Sequence, residues 1–275
     1  MKPVASVVIP AHNEGSGIAD TLSSLTRDAR PGELQVVVVC NGCTDDTASV
    51  AAGTAGVDVV EIAEPSKLAA LRAGDAHATA FPRVYLDADI RLSTDAVREL
   101  AAALDQPGAL VGGIPGELDL SRTSGLVTLF YEFRNRLPVF ADGGIGAGVY
   151  ALSEHGRARF DVWPDLRSGD DQFIFRLFSP EERVTVRGHR TSVQPPSTLR
   201  AVIRRGVRTR RGNRRLSSGA AGRDLPPPPA GRLEALKDAV RTPRGIASAA
   251  VFITVTAIVR VRARFGRGGG DWLAR

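Results

Sequence analysis

The chain is poor in cysteine, lysine and aromatic residues. Its 275 residues include two cysteines, Cys40 and Cys43, and 5% aromatic side chains. Two cysteines cannot build a disulfide framework, and without a second pair of ligands a structural zinc site is not expected. The C-x-x-C spacing after an apolar strand permits a redox pair, but we favour simple packing of Cys40 in the strand and of Cys43 in the following loop.

Long uncharged segments are scarce as well. The longest mostly apolar one, 245–259, would span about 22 Å as a helix, less than the roughly 30 Å of a bilayer core. Arg244 and Arg260 bracket it. Pro10 and Glu14 interrupt the first apolar segment, so no secretory signal is predicted. We therefore expect a cytoplasmic protein, peripheral at the inner face of the cell membrane rather than spanning it.

Lysine is nearly absent, so the basic charge is carried by arginine. The net charge is +6, and an arginine-rich segment runs from Arg200 to Arg215. Such a cluster predicts partners that carry phosphate, either a nucleotide or an anionic membrane surface. No aromatic side chain interleaves the segment to stack on bases, so nucleic acid is not expected as a partner.

Short apolar segments alternate with helical patterns through the first 115 residues. Strands are predicted at 4–9, 34–40, 57–61, 83–87 and 110–114, and helices at 16–28, 45–53, 66–80 and 93–104. This alternation predicts an α/β fold with a doubly wound, mostly parallel sheet and flanking helices.

The alternation fades beyond residue 115, which suggests a division of the chain. We predict one catalytic domain over 1–217, with a nucleotide-binding half, 1–115, and an acceptor half, 116–217. A proline-rich linker is expected at 218–231, and a C-terminal helical tail, membrane-associated in our interpretation, at 232–275.

Acidic residues follow three of the predicted strands. Glu14 comes after the first, Asp45 after the second, and Asp87-Ala88-Asp89 after the fourth. Parallel strands end at the same edge of a sheet, where such folds bind ligands. Carboxylates gathered there repel each other unless a cation lies among them. A divalent metal that bridges to a diphosphate accounts for the arrangement.

Five segments resemble, in order, the motifs of family 2 glycosyltransferases: Val7–Glu14, Asn41–Thr47, Ser66–Leu71, Leu86–Asp89 and Gly169–Gln172. The resemblance covers roughly residues 4–215. It implies a GT-A-like fold and transfer of a sugar from a UDP- or GDP-type nucleotide sugar to the hydroxyl of a small or lipid-linked acceptor. It further implies inversion and a requirement for Mg²⁺ or Mn²⁺.

The resemblance implies a nucleotide-binding set at the first two strand ends: Pro10, Ala11, Glu14, Asn41 and Asp45. Glu14 and Asp45 would accept hydrogen bonds from the base or ribose. The alternative is that both carboxylates only cap the following helices. Lys67 would meet the donor phosphates, unless it is a solvated lysine at a helix start.

Asp89 is the leading metal ligand implied by the resemblance. Asp87 is expected to bind ribose or sugar hydroxyls and to assist at the metal. His189 is a third candidate ligand, because some GT-A enzymes supply a late histidine. The alternatives are solvated loop acids and a surface histidine.

Asp170 and Asp171 match the Glu-Asp pair of the family, whose second acid is the base for the acceptor hydroxyl. Adjacent acids disfavour full ionisation, so one pKa is expected to rise toward a useful value. Asp171 is therefore the predicted base, with Asp170 beside it. The alternative is a helix cap or a pair of surface acids.

An arginine segment falls where processive members of the family carry Gln-x-x-Arg-Trp. Arg208 matches the arginine, but Thr209 replaces the tryptophan that contacts a growing polymer, so non-processive transfer is expected. Arg208 and Arg211 are predicted to clamp the diphosphate. The alternative is a basic helix that faces solvent or lipid.

Two other functions remain open at this point. A nucleotidyltransferase shares the α/β layout, but it would show a glycine-rich, arginine-containing loop after the first strand. A non-catalytic membrane-docking protein of the same fold would have no need for Asp87, Asp89 and Asp171.

Overall fold

The computed structural model describes residues 2–137, 147–164, 169–218 and 232–265, with backbone alone for 212–218, 232 and 233. The chain forms two compact units. The first contains residues 1–117 and 143–193, and the second contains 118–142 and 194–275. The predicted linker lies, apart from Ser218, outside the described residues. The predicted boundaries at 115, 217 and 231 remain predictions.

The first unit is a mixed α/β structure. Its strands, with β6 reaching into the second unit at Leu118, are β1 (Ala5–Ala11), β2 (Leu34–Asn41), β3 (Val57–Ile62), β4 (Arg83–Leu86), β5 (Val111–Gly113), β6 (Gly116–Leu118), β7 (Val149–Leu152), β8 (Arg183–Thr185) and β9 (Thr191–Val193). Its helices are α1 (Ile18–Thr26), α2 (Thr47–Ala52), α3 (Lys67–His77), α4 (Thr94–Leu104), α6 (Glu154–Arg157) and α7 (Asp170–Leu177).

The main sheet has the order β3-β2-β1-β4-β7-β5-β8, and β6 and β9 form a second, two-stranded sheet. β1 pairs in parallel with both β2 and β4, so the strand order reverses beside β1. The predicted doubly wound, mostly parallel sheet is confirmed. The glycine-rich segment 143–150 was expected to enter a strand, which is β7, but the antiparallel insertion of β7 between β4 and β5 was not predicted from the sequence.

The core consists of apolar strands covered by helices. Val7, Ile9, Val36 and Val38 are buried in neighbouring strands. Both faces of a parallel sheet must be covered, which is why these strands read as continuous apolar runs. Gly74 lets α3 lie directly on the sheet, since a Cβ there would come within 2.2 Å of Val8 Cγ1.

The second unit is helical. It contains α5 (Gly125–Arg134), α8 (Leu199–Ser218), α9 (Arg232–Ala239) and α10 (Pro243–Phe265). α10 packs on α5 and α8 through Val127, Tyr131, Val202, Val255 and Val259. The predicted helical tail is therefore helical over its described residues.

α10 is longer than the apolar segment seen in the sequence. It has 23 residues, and within the described part of the chain it is the one helix long and apolar enough to cross a membrane; its most apolar window has a mean hydropathy of 1.7. This classification of α10 uses only the length and the composition of the helix, and core helices of soluble proteins can have the same length and composition.

Candidate active site

The loop after β4 holds two of the predicted site acids. Its backbone is fixed from two sides: Asp87 N donates to Gly148 O (2.8 Å), and Thr21 Oγ1 on α1 donates to Ala88 O (2.7 Å). Ala88 is buried, whereas Asp87 is half-buried and Asp89 is exposed. Hydrogen bonds to its backbone therefore fix the loop, the Ala88 side chain is buried, and the two carboxylates lie at the carboxyl edge of the sheet.

Gly148 allows β7 to begin against this loop. Its φ is +79°, and a Cβ there would lie 2.4 Å from Ile90 Cγ1 and 3.4 Å from Asp87 Oδ2. A residue with a side chain would be strained at that φ and would collide with Ile90. The preceding residues of the glycine-rich segment, 143–146, lie outside the described residues.

Lys67 joins two acids that are far apart in the sequence. Ser66 caps α3 by accepting a hydrogen bond from Ala69 N, which places Lys67 at the first position of the helix. Lys67 Nζ lies 2.7 Å from Asp87 Oδ1 and 3.1 Å from Asp170 Oδ2. Burial by itself would lower the pKa of Lys67, but the charges of Asp170 and Asp87 raise it above its ordinary value. Lys67 is therefore a permanent cation of the cluster.

Asp170 is buried, and a tyrosine holds it from the sheet. Tyr150 on β7 donates its hydroxyl hydrogen bond to Asp170 Oδ2 at 3.1 Å. Burial, followed by the charge of Asp170, raises the pKa of Tyr150 well above its ordinary value, so the hydroxyl keeps its proton. Lys67 and Tyr150 both contact the same oxygen, Oδ2, and together they hold the Asp170 carboxylate in place.

Asp171, beside it, has a different environment. It accepts a hydrogen bond from Gln172 N at 2.8 Å and has no ion pair with any described residue. Burial raises the pKa of Asp171 to about 6; the charge of Asp170 adds to the rise, and the charge of Lys67 opposes it. Of the two adjacent acids, Asp171 is thus the one suited to accept a proton near neutral pH.

The loops after β1 and β2 are tied together by Asp45 and Thr47. Asp45 Oδ2 accepts from Gly15 N at 3.1 Å, its Oδ1 accepts from Thr47 N and Oγ1, and Glu14 N donates to Thr47 Oγ1 at 2.8 Å. Although partial burial acts in the opposite direction, the hydrogen bonds from Thr47 and Gly15 hold the pKa of Asp45 below its usual range. Asp45 thus binds the first N–H group of α2, although the N-cap residue of that helix is Asp46, whose side chain makes no capping hydrogen bond; the nucleotide role of Asp45 remains a prediction.

Asn41, the last residue of β2, also connects the ends of β1 and β2. Its side-chain Nδ2 donates to Ala11 O at 2.8 Å, and its backbone carbonyl oxygen lies 2.6 Å from His12 Nδ1. Asn41 is buried, Pro10 is half-buried, and Glu14 is 8% exposed. The five residues predicted to bind the base and ribose, Pro10, Ala11, Glu14, Asn41 and Asp45, therefore lie at the ends of two adjacent strands, and their role remains a prediction.

The remaining predicted site residues lie elsewhere. His189 Nε2 is 3.1 Å from Glu99 Oε1 on α4. Arg208 and Arg211 belong to α8 of the second unit. Among the described residues, no three His, Cys, Asp or Glu side chains come together as a metal site. The metal role of His189 and the clamping role of the two arginines remain predictions.

Tyr150 and Thr47 are the site residues that the sequence did not indicate. Thr47 follows Asp45 closely, and the preference of threonine for helix starts is a signal that could have identified it. No local pattern marks Tyr150, because its contact with Asp170 depends on where β7 enters the sheet.

Comparisons with known proteins bear on the family and the fold of the chain. The sequence model of the family described as Glycosyl transferase family 2 matches residues 6–153, more than half of the chain. No curated protein sequence matches the chain.

Several solved structures are similar in fold. The mannosyltransferase PcManGT from Pyrobaculum calidifontis, in complex with GDP-Man and Mn²⁺, is 21% identical with a TM-score of 0.61, over 98% of this chain and 77% of that one. Glucosyl-3-phosphoglycerate synthase from Mycobacterium tuberculosis, with Mn²⁺, UDP and glucosyl-3-phosphoglycerate, is 21% identical with a TM-score of 0.57, over 78% of each chain. S. aureus TarS with UDP is 14% identical with a TM-score of 0.55, over 97% of this chain and 92% of that one.

Proposed function

The chain belongs to the family 2 glycosyltransferases, and we propose that it transfers one sugar from a UDP- or GDP-type nucleotide sugar to an acceptor hydroxyl, with inversion and with the help of Mg²⁺ or Mn²⁺. The observation that carries the proposal is the cluster of Lys67, Asp87, Asp170 and Asp171 at the carboxyl edge of the sheet. Family membership also favours glycosyl transfer over nucleotidyl transfer and over a purely docking role.

In this proposal Asp171 is the general base. Its carboxylate takes the proton from the acceptor hydroxyl while that oxygen bonds to the anomeric carbon of the donor. The bond from that carbon to the diphosphate breaks, and the nucleoside diphosphate leaves with the electron pair. A single displacement of this kind inverts the anomeric centre. Asp170, held by Lys67 and Tyr150, keeps the start of α7 in place beside the base.

The acids after β4 fit a hard divalent cation. Asp89 is exposed at the strand end and Asp87 is half-buried beside it, while the described residues supply no cage of three ligands. Mg²⁺ and Mn²⁺ suit such a site, because one or two carboxylates plus phosphate oxygens and waters complete their shells. When bound, the metal would neutralise charge on the leaving diphosphate. His189 is a further proposed ligand.

The nucleotide is proposed to bind at the ends of β1 and β2. Glu14 and Asp45 would accept hydrogen bonds from the base and ribose, and Pro10, Ala11 and Asn41 would shape the pocket. Similar folds have been solved with GDP-Man or UDP together with Mn²⁺, which supports a donor of this class.

Arg208 and Arg211 are proposed to contact the diphosphate of the donor. The absence of a tryptophan after Arg208 favours non-processive transfer to a small or lipid-linked acceptor.

The direct test is a screen of UDP- and GDP-sugars for thermal stabilisation of the protein and for release of the nucleoside diphosphate. At least one donor should raise the melting temperature more with Mn²⁺ than without it, because ligand binding to the native state stabilises it. The same donor should yield free diphosphate when an acceptor is present. If no nucleotide sugar stabilises the protein under either condition, the proposal is wrong.

We further propose that the protein docks on the cytoplasmic face of an anionic membrane through α10. One stripe of the helix is apolar and exposed, with Ile246 53%, Ile253 54% and Val261 57% exposed, while the opposite face packs on α5 and α8. α10 contains no acidic residue and ends in Arg260, Arg262 and Arg264. An apolar stripe beside arginines complements a bilayer of anionic lipids.

A vesicle flotation assay on the full chain tests this docking. The wild-type protein should float with vesicles of phosphatidylcholine and phosphatidylglycerol, and the double variant Ile246→Glu/Ile253→Glu should lose at least about tenfold in binding, because charge on the stripe opposes insertion. The control variant Ser23→Glu/Ala55→Glu adds the same charges at exposed positions of the first unit and should float like the wild type. Equal flotation of the Ile246→Glu/Ile253→Glu variant, or none of the wild type, refutes the docking surface.

A further inference from the structure

A second polar site lies in the first unit, away from the acid cluster. It is a cavity of about 360 Å³ whose lining includes Arg72, Asp75, Arg83, Arg157, Asp161 and Trp163. Arg83 is the first residue of β4, whereas Asp87 follows the last one, so the cavity is at the opposite end of that strand, roughly 13 Å along it. None of its lining residues belongs to the set proposed for donor, metal or base.

Asp75 is the anion that organises the cavity, and its hydrogen-bonding capacity is fully used. Oδ1 accepts from Arg83 Nη1 (2.9 Å) and Tyr85 OH (2.7 Å), and Oδ2 accepts from Arg157 Nε (2.8 Å) and Trp163 Nε1 (2.7 Å). Four donors occupy both oxygens of the carboxylate. Asp75 therefore has no capacity left for further donors of the surrounding arginines.

The arginines have more donors than these contacts consume. Arg72 makes one hydrogen bond, from Nη2 to Trp163 O at 3.0 Å, and forms no ion pair with any described residue. Arg83 Nε is buried and lacks a hydrogen-bond partner within the described chain. Two guanidinium groups share the single charge of Asp75, and a third has no carboxylate of its own.

We propose that this cavity binds a small phosphomonoester, with Arg72 as its main contact. A phosphate group supplies the charge and the several acceptor oxygens that unused guanidinium donors require, and arginine binds it through two parallel hydrogen bonds. Asp161, exposed on the lining, is an acceptor for hydroxyl groups on the body of the ligand. The volume suits a small metabolite. The inference does not depend on the glycosyl-transfer proposal.

Trp163 provides a local signal for the test, since it lines the cavity and the chain has only one other tryptophan, Trp272. In a Trp272→Phe background, titration with inorganic phosphate at constant ionic strength should change Trp163 fluorescence along a saturable curve. Arg72→Ala should raise the midpoint at least about tenfold, because it removes charge-assisted hydrogen bonds without breaking the Asp75 network.

Matched variants and a competition keep the result specific. Arg27→Ala removes an exposed arginine that follows α1 and should leave the midpoint unchanged. Arg72→Gln, which keeps a hydrogen-bond donor but no charge, should also bind weakly, and it remains informative if Arg72→Ala fails to fold. Saturating UDP with Mn²⁺ should not displace the phosphate. A flat titration, an unchanged midpoint in both Arg72 variants, or displacement by UDP with Mn²⁺ overturns the proposal.

Discussion

Replacing Asp171 with asparagine is expected to lower turnover about 10²- to 10⁴-fold and to leave donor affinity nearly unchanged. Asparagine has almost the same shape, but it cannot accept the proton of the acceptor hydroxyl. The loss should therefore fall on kcat, as measured by release of nucleoside diphosphate with saturating donor and acceptor.

The pH dependence of turnover in the wild-type enzyme also tests whether Asp171 is the base. Burial and the charge of Asp170, opposed by Lys67, bring the pKa of Asp171 to about 6, with a smaller contribution from Asp87. A base must be unprotonated to act, so activity should be half-maximal near pH 6, should approach its full value about one pH unit higher, and should be lost at lower pH. In Asp171→Asn this acidic limb should disappear.

Stability separates a catalytic loss from a structural one. The raised pKa shows that the charged form of Asp171 is unfavourable in the folded protein, so removal of the charge should not lower the melting temperature at neutral pH. Asp105→Asn, at the C-terminal end of α4, is the matched control and should keep full activity. Near-wild-type turnover in Asp171→Asn would rule out Asp171 as the base.

The sequence was sufficient to place the acidic loops on one edge of the sheet. Each loop follows an apolar strand, the strands alternate with helices, and parallel strands end at the same edge. Pairing of β1 with both β2 and β4 confirms that placement for Glu14, Asp45 and Asp87. This placement follows from the local alternation of strands and helices, which is visible in a single sequence.

The contacts that orient these acids were not predictable in the same way. Tyr150 reaches Asp170, and Gly148 supports Asp87, only because β7 enters the sheet antiparallel to β4. The link from Lys67 to Asp170 likewise joins residues whose approach depends on the whole fold. Such long-range contacts have no local pattern in a sequence, which is why the sequence singles out these residues as candidates but does not predict their partners.

Replacing Asp89 with alanine is expected to weaken Mn²⁺-dependent binding of the nucleoside diphosphate on the order of 100-fold. The reason is that the exposed carboxylate would hold the metal against the diphosphate, and a 100-fold loss corresponds to about 2.8 kcal/mol of binding free energy. Binding that does not depend on metal, through the loops after β1 and β2, should persist. Calorimetric titration with and without Mn²⁺ separates the two contributions.

That titration is also the most direct test of a divalent metal held between the acids after β4 and the diphosphate of the donor. The account predicts that Mn²⁺ strengthens nucleotide binding in the wild type and in the control Asp105→Ala, and that this gain is lost in Asp89→Ala. If Asp89→Ala gains as much affinity from Mn²⁺ as the wild type does, Asp89 does not hold the metal and the account is contradicted.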